Sequence, residues 1–223
     1  MKFDRTTRKK RAREAAFDLP HDLVPHPRAR DMARATRRDM PSMRVDEIRA
    51  RAWPLRGETI VPGTAQLPGA SAPWSLFGRH VYADLLKTCR DCGRPFLFYA
   101  SEQRFWYETL QLPQGVDCVA CPPCRKLARR VKACHARYDE ALHAPRLDAK
   151  DMKAFVDDAL FLLEQGVLRN LARLGALKNR ARRELPDYGG TQALAGALAR
   201  AHAAAQMRPG ASRSRQWGTT CTG

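Results

Sequence analysis

The chain has 223 residues, 44% of them hydrophobic, which fits one or two domains with a buried core. It carries 40 Lys and Arg against 23 Asp and Glu, and the net charge of +17 predicts a polyanionic partner, either nucleic acid bound non-specifically or an acidic protein. No segment approaches the roughly 18 apolar residues of a membrane span, and no apolar block follows the basic N-terminus as in a secretory signal, so a cytoplasmic protein with no membrane partner is expected.

The N-terminal third, residues 1–75, is basic and punctuated by proline, and the sequence predicts a largely disordered arm and linker. Its first 51 residues hold 15 Lys and Arg against 8 Asp and Glu, a net charge of +7. Such an arm either contacts nucleic acid or remains a solvated tail. Short helices are expected near Arg5–Phe17 and Ala29–Arg38, and residues 57–73, GETIVPGTAQLPGASAP, are expected to be a linker.

Residues 76–133 are predicted to form a small compact domain. The mixture of β-branched and aromatic residues in HVYADLLKTC and PFLFYA predicts two short strands in a β-hairpin. Ser101 is a candidate cap for a helix over Glu102–Leu110. A longer helix is expected from Pro123 to about Leu142, because apolar residues recur along it at spacings of 4, 3, 4 and 4.

The C-terminal part of the chain is predicted to be helical. Residues 134–188 are expected to form a helical unit, in which Asp148 caps a helix at its start. An apolar stripe runs over Met152–Leu174, and Gly166 is expected to divide it between two helices. Residues 189–223 are predicted to hold an alanine-rich helix and then a disordered tail.

Five of the seven cysteines lie in two groups. The first group is TCRDCG and the second is DCVACPPCRK, and their members are Cys89, Cys92, Cys118, Cys121 and Cys124. Two residues between ligands let a tight turn direct both thiolates at one ion, and two such turns make a closed tetrahedral site. Gly93 follows the first pair and lets the backbone curl back, so that amides point at a thiolate. Because paired CxxC motifs in a reducing compartment indicate metal ligands, the sequence predicts a structural Zn²⁺ site that includes Cys89 and Cys92.

The second pair of ligands is chosen among three cysteines. Cys121 precedes a proline and is therefore expected to be extended at the end of a loop. Pro123 suits the first position of the long helix, so Cys124 lies in the first helical turn, where the helix dipole favours a thiolate. Cys121 and Cys124 are thus the predicted pair. Pro123 fits poorly at the third position of a type I turn, so Cys118 with Cys121 stays open as the alternative.

The segment from Tyr82 to Arg130 resembles the probable zinc-ribbon domains of bacterial proteins. Those domains carry C-x-D-C-G-x-x-F-x-F, then E-Q-x-x-(F/W)-Y, then C-P-x-C-R. The residues of this chain that fall on the pattern are Cys89, Asp91, Cys92, Gly93, Phe96, Phe98, Glu102, Gln103, Trp106, Tyr107, Cys121, Pro122, Cys124 and Arg125. The resemblance implies zinc bound by four cysteines and supports Cys121 and Cys124 as the second pair. It implies no reaction, because that family has no settled activity.

Several residues around the cysteines have two interpretations. The basic residues at the start of the long helix are predicted either to contact phosphates or to offset the charge of the zinc–thiolate centre; they are Arg125, Lys126, Arg129, Arg130 and Lys132. The aromatic residues are predicted to form a small core beside the metal rather than to stack on bases; they are Phe96, Phe98, Phe105, Trp106 and Tyr107. Cys134 lies on an apolar stripe and is predicted to pack as a small hydrophobic residue.

The predicted fold class is α+β, mostly α by residue count. A small zinc-ribbon or treble-clef-like domain with a short β-hairpin is expected, flanked by a disordered basic N-terminal arm and by C-terminal helices. The predicted function is that of a non-catalytic zinc-binding protein whose metal staples this domain and whose basic flanks contact nucleic acid. An enzyme is not expected, because no histidine joins the cysteines, and neither a phosphate-binding motif nor a small-molecule site is indicated.

Two alternative functions use the same cysteines. CxxCG and CPxC are also the metal-binding turns of rubredoxin-like iron proteins that transfer electrons, but such modules are compact and acidic, and here Arg125 replaces the glycine of the second turn. CPPC alone resembles the active site of a thiol redox protein. That chemistry requires a CxxC at a helix start in a βαβ setting, which the predicted order of elements does not provide.

Overall fold

The computed structural model of the chain describes residues 17–35, 42–51, 58–69, 80–113 and 115–207. The chain divides into two compact units, residues 1–126 and residues 127–223. This division is coarser than the four segments expected from the sequence, whose boundaries stay a prediction. In the described parts of both units, no helix is long and apolar enough to cross a membrane.

The first unit combines short helices with a small sheet. In chain order its elements are α1 (Ala29–Ala35), α2 (Val45–Arg51), β1 (Thr59–Ile60), β2 (Leu85–Thr88), β3 (Pro95–Phe98) and α3 (Ala100–Arg104), which continues as a π-helical turn over Phe105–Thr109. The helix α4 (Pro122–His143) begins at the end of this unit. The two central strands, β2 and β3, are the hairpin that the sequence predicts.

The sheet is antiparallel, with the strand order β1-β2-β3. In the β2–β3 pair, Leu85 lies opposite Phe98 and the register continues to the end of both strands. The outer edge of β3 is covered by Val24, whose N–H donates to the carbonyl of Pro95 at 2.8 Å. Both flanks of the central hairpin therefore come from the N-terminal part of the chain, and the sequence had assigned that part to an arm and a linker.

The core of the first unit includes side chains from the N-terminal segment, which the sequence predicts to be largely disordered. Those that belong to this core are Val24, Met43, Ile48, Ile60 and Ala65, all buried together with Phe96 and Phe98 of β3. The apolar residues of this segment stand singly or in pairs between polar and proline residues, so no periodic pattern marks them. Of the two helices expected here, α1 matches the second, and the first, near Arg5–Phe17, lies outside the described residues except for its last one.

The start of α3 corrects one local expectation. The helix begins at Ala100, its N-cap residue Tyr99 makes no side-chain capping bond, and Ser101 lies within the helix. The N–H of Ala100 instead donates to Oδ1 of Asp84 at 2.7 Å. The carboxylate of a residue distant in sequence thus accepts a backbone N–H at the helix start. Local sequence patterns do not predict such a partner.

The second unit is helical. It contains the greater part of α4 and then α5 (Ala149–Glu164), α6 (Leu171–Glu184) and α7 (Gly189–Gln206). Its hydrophobic core is separate from that of the first unit and includes Tyr138, Met152, Leu162, Leu174 and Leu194. Each of these helices turns an apolar stripe toward that core, as the spacing of apolar residues predicts.

The local signals at the ends of α5 are confirmed. The Asp148 carboxylate accepts the N–H of Asp151 at 2.7 Å and caps the helix. Gly166 has a φ of +70° and follows the end of the helix, where it reverses the chain. Val167 was expected on the buried stripe but is 38% exposed, because it lies in the connection after α5 and not on a helix.

Candidate metal centre

Four cysteine sulfurs meet at one point of the first unit. The Sγ atoms of Cys89, Cys92, Cys121 and Cys124 all lie within 4.8 Å of one another. The distance between Cys92 Sγ and Cys121 Sγ is 3.8 Å. A tetrahedral site with Zn–S bonds of about 2.3 Å has sulfur–sulfur edges of about 3.8 Å, so both the spacing and the donor set fit Zn²⁺. The structure brings together the four predicted ligands, and their binding of a metal stays a prediction.

The first metal-binding turn is the loop of the β2–β3 hairpin. Cys89 directly follows β2, and its N–H donates to the carbonyl of Arg94 at 2.9 Å, which closes the loop. Gly93 has a φ of +71°, and its N–H donates to the carbonyl of Cys89 at 2.9 Å. The predicted role of this glycine is confirmed, since only a left-handed residue lets the chain curl back here.

The second metal-binding turn leads into α4. The helix begins at Pro122, one residue earlier than expected, and the N–H of Arg125 donates to the carbonyl of Cys121 at 2.9 Å. Cys124 therefore lies in the first helical turn, as predicted. The N–H of Cys121 also donates to Cys89 Sγ at 3.3 Å, so the backbone of one turn supports the thiol of the other.

The four thiols differ in how easily they ionise. Burial opposes the charge on Cys89, but N–H donors from Cys121, Cys92 and Asp91 lower its pKa to about 6. Burial raises the pKa of Cys121, and the pKa of Cys124 is raised first by its hydrogen bond with Cys121 and then by burial. The cluster therefore stabilises one thiolate but disfavours further negative charge on its neighbours. A cation that replaces the thiol protons removes the repulsion between the thiolates, so the cluster is suited to bind a metal ion.

Comparison with known families gives one match at this site. Residues 83–133 match the family model of a probable treble clef domain. The treble clef match covers 51 of the 223 residues, and no curated protein and no solved structure matches the chain. The resemblance drawn from the sequence and the predicted α+β class are confirmed. The match and the four-cysteine cluster together support a structural zinc-binding role for the treble clef domain.

The other cysteines lie apart from this cluster. Cys118 is 1% exposed and its Sγ donates to the carbonyl of Ala120 at 3.5 Å, and burial above all raises its pKa to about 12. The alternative pair of Cys118 with Cys121 is thus not the one that the structure gathers. Cys134 is buried in the core of the second unit, as predicted, and Cys221 lies outside the described residues.

Arg125, next to the cluster, is held inside the treble clef domain. Its Nη2 lies 2.8 Å from Oε1 of Glu102, and its guanidinium lies 5.2 Å from the ring centre of Trp106. His26 contributes Nε2 at 3.7 Å from the other oxygen of Glu102. Arg125 had been interpreted either as a phosphate contact or as compensation for the thiolate charge, and these contacts favour a role within the domain.

Two residues of the E-Q-x-x-W-Y segment, Gln103 and Tyr107, connect α3 and the π-helical turn after it to their surroundings. Gln103 Nε2 donates to the carbonyls of Ala83 at 2.6 Å and Phe98 at 3.0 Å, which joins the helix to the sheet. The hydroxyl of Tyr107 donates to the carbonyl of Val116 at 2.7 Å, in the loop before the second turn. The aromatic residues pack as a core, as predicted, except that Phe105 is 48% exposed.

The first test of this geometry is Gly93→Ala. A Cβ at this position would meet no atom within 4 Å, so the change adds only backbone strain at a φ of +71°. We expect a loss of about 1 kcal/mol in the free energy of unfolding of the zinc-loaded protein, measured with denaturant. Gly175→Ala is the control, because its Cβ also meets no atom within 4 Å and its backbone is helical, within α6. An equal loss in the control would contradict the strain argument.

A second test is Arg125→Met, which removes the guanidinium that pairs with the buried Glu102 carboxylate. The Glu102 side chain is 8% exposed and that of Arg125 is 22% exposed. We expect a loss of about 3 kcal/mol in the free energy of unfolding of the first unit, the lower end of the range for a broken buried pair. The control is Arg90→Met at the exposed pair with Asp91, where the loss should stay below about 1 kcal/mol. Similar losses in the two variants would contradict a structural role for Arg125.

Proposed function

We propose that this chain is a non-catalytic zinc-binding protein, in which Cys89, Cys92, Cys121 and Cys124 hold one structural Zn²⁺. The observation that carries the proposal is the convergence of the four sulfurs within 4.8 Å. A zinc ion with four thiolate ligands has a filled tetrahedral shell, so no position is open to a water or a substrate. The ion would supply folding free energy by joining the hairpin loop to the start of α4.

The surroundings of the cluster are consistent with a structural role. A groove of about 620 Å³ lies beside β2 and is lined in part by Glu58, Lys87 and Asp117. The Lys87 ammonium is 2.6 Å from Asp117 and 3.1 Å from Glu58, so these charged groups hold one another. These contacts link β2 to the segments that carry Glu58 and Asp117, as expected of a structural lysine.

The net charge of +17 supports a polyanionic partner. Nucleic acid bound through phosphates is the partner we propose, and the zinc ion keeps the first unit folded without taking part in that contact. Such binding is weak and indifferent to nucleotide sequence, because the amino-acid sequence contains no recognisable base-reading motif.

A thiol redox function fits the geometry less well. Both cysteines of CPPC lie in one cluster with Cys89 and Cys92, and the sheet before them is antiparallel, not part of a βαβ unit. An iron site remains the competing outcome, because four thiolates in a tetrahedron also bind iron.

Metal analysis of the purified protein with its absorption spectrum tests the proposal. We expect one zinc per chain and no absorption in the visible range. Visible iron–thiolate bands with one iron per chain would replace the proposal with an electron-transfer role. A protein that folds fully with neither metal would contradict the structural site itself.

A further inference from the structure

Positive charge in the second unit lies mainly on two helices, α4 and α6. The sequence of α6, LARLGALKNRARRE, holds five Lys and Arg and one Glu. The helix α5 has two Lys against three Asp and one Glu, and α7 has one Arg and no acidic residue. The α4 residues 127–143 hold four Lys and Arg against one Asp and one Glu, a net charge of +2, so α6, with +4, is the more basic of the two helices within this unit.

The basic residues of α6 flank an open surface of small side chains. Its core side holds Leu174, Leu177 and Ala181, which are buried. The side that faces away from them carries two exposed alanines and three arginines, namely Ala172, Arg173, Ala176, Arg180 and Arg183. Positions seven residues apart lie on one stripe, so Arg173 and Arg180 point the same way, about 10 Å apart along the axis. The small alanines between them allow a large ligand to approach the helix closely.

Some arginines of both basic helices already have partners. Arg137 of α4 is bound to Asp158 at 2.6 Å, and the Arg130 guanidinium lies over the ring of Phe161 at 4.1 Å. In α6, Arg180 pairs with Glu184 at 2.8 Å, whereas Arg173 and Arg183 are exposed and form no ion pair within the described part of the chain. Their guanidinium groups are therefore free to bind oxygens of an external anion.

We infer that this face of α6, defined by Arg173, Arg180 and Arg183, binds the phosphate backbone of duplex nucleic acid. The inference rests on the partner class of the proposed function and assigns it to a surface in the second unit. A duplex is favoured over a single strand, because the face has no aromatic side chain on which unpaired bases could stack. The length of the helix, about 21 Å for 14 residues, spans several phosphates of one strand.

The experiment compares two double variants with the full-length protein. Arg173→Gln with Arg183→Gln removes two charges from the proposed face, and Lys150→Gln with Arg200→Gln removes two exposed charges from α5 and α7. Glutamine is a good helix former, so both variants should keep their helical signal in circular dichroism. The probe is a 30-base-pair duplex of arbitrary sequence, whose binding is followed by fluorescence anisotropy between about 0.05 and 0.3 M salt.

We expect the α6 variant to bind the duplex roughly 60-fold more weakly at 0.1 M salt, with a salt slope reduced by about 1.8, as for two lost phosphate contacts. The control variant should lose less than about 3-fold, since it changes only the long-range charge. Equal losses in both variants would overturn the inference, and so would a wild-type protein that binds no duplex at low salt. Tighter binding of polyglutamate than of duplex would assign the face to an acidic protein instead. Zinc content, measured on the same samples, reports separately on the proposed metal site.

Discussion

Replacing Cys89 or Cys124 with serine is expected to abolish zinc binding and to unfold the first unit. The metal staples a hairpin loop to the start of a helix, and a structural zinc site typically contributes about 10–16 kcal/mol of apparent binding free energy. That is as large as the whole stability of a typical domain, about 5–15 kcal/mol, so the unit should not survive its loss. Zinc content per chain and hydrogen exchange over residues 80–126 measure the two effects.

Cys118→Ser is the matched control for these variants. Cys118 is as buried as Cys89 but lies outside the four-sulfur cluster. The control should keep one zinc per chain and lose only the stability expected of a polar atom placed in the core, about 1–3 kcal/mol. Loss of zinc in Cys118→Ser with retention in Cys124→Ser would show that the assigned second pair is wrong.

Removal of the metal by a chelator is expected to unfold the first unit and to leave the second unit folded. The first unit should lose its protection from hydrogen exchange, while α5, α6 and α7 keep theirs. The reason is that the second unit has its own hydrophobic core, which includes Met152, Leu162 and Leu194 and no residue of the cysteine cluster. Circular dichroism at 222 nm should therefore retain most of its helical signal after chelation.

The control for chelation is the return of zinc, which should restore protection in the first unit and leave the second unit unchanged. Exchange resolved by peptide distinguishes the units, because α5 to α7 yield peptides that contain no metal ligand. Full loss of helical signal on chelation would show that the two units fold as one cooperative domain. The division of the chain into independent units would then be wrong.

Local patterns predicted the parts of the structure that local chemistry determines. The spacing of the cysteines identified the four sulfurs that meet, and Gly93 has the positive φ that its position requires. The Asp148 cap and the helix end before Gly166 were also predictable from the sequence, because each residue affects only the backbone within one or two helical turns. These features depend on backbone geometry and on hydrogen bonds between near neighbours in the chain.

Contacts between distant residues were not predictable in the same way. Nothing in the sequence near Asp84 indicates that it accepts the N–H of Ala100, or that Glu102 pairs with Arg125. The N-terminal residues gave the weakest signal, since Val24 and Ile60 flank the hairpin but lie in short apolar pairs without periodicity. These residues are buried because they pack against a hairpin that lies later in the chain. The sequence of the earlier segment does not indicate that contact.

The parallel bridge between Val24 and β3 has a consequence for the order of folding during synthesis. The N-terminal segment leaves the ribosome first, but the strand that it covers appears only when Pro95–Phe98 has been made. The metal site cannot close until Cys124 follows, so the first unit must remain open for most of its translation. Closing such long loops slows folding, whereas the helices of the second unit make mostly local contacts. The N-terminal half is therefore the part of this chain that stays exposed longest to chaperones and proteases.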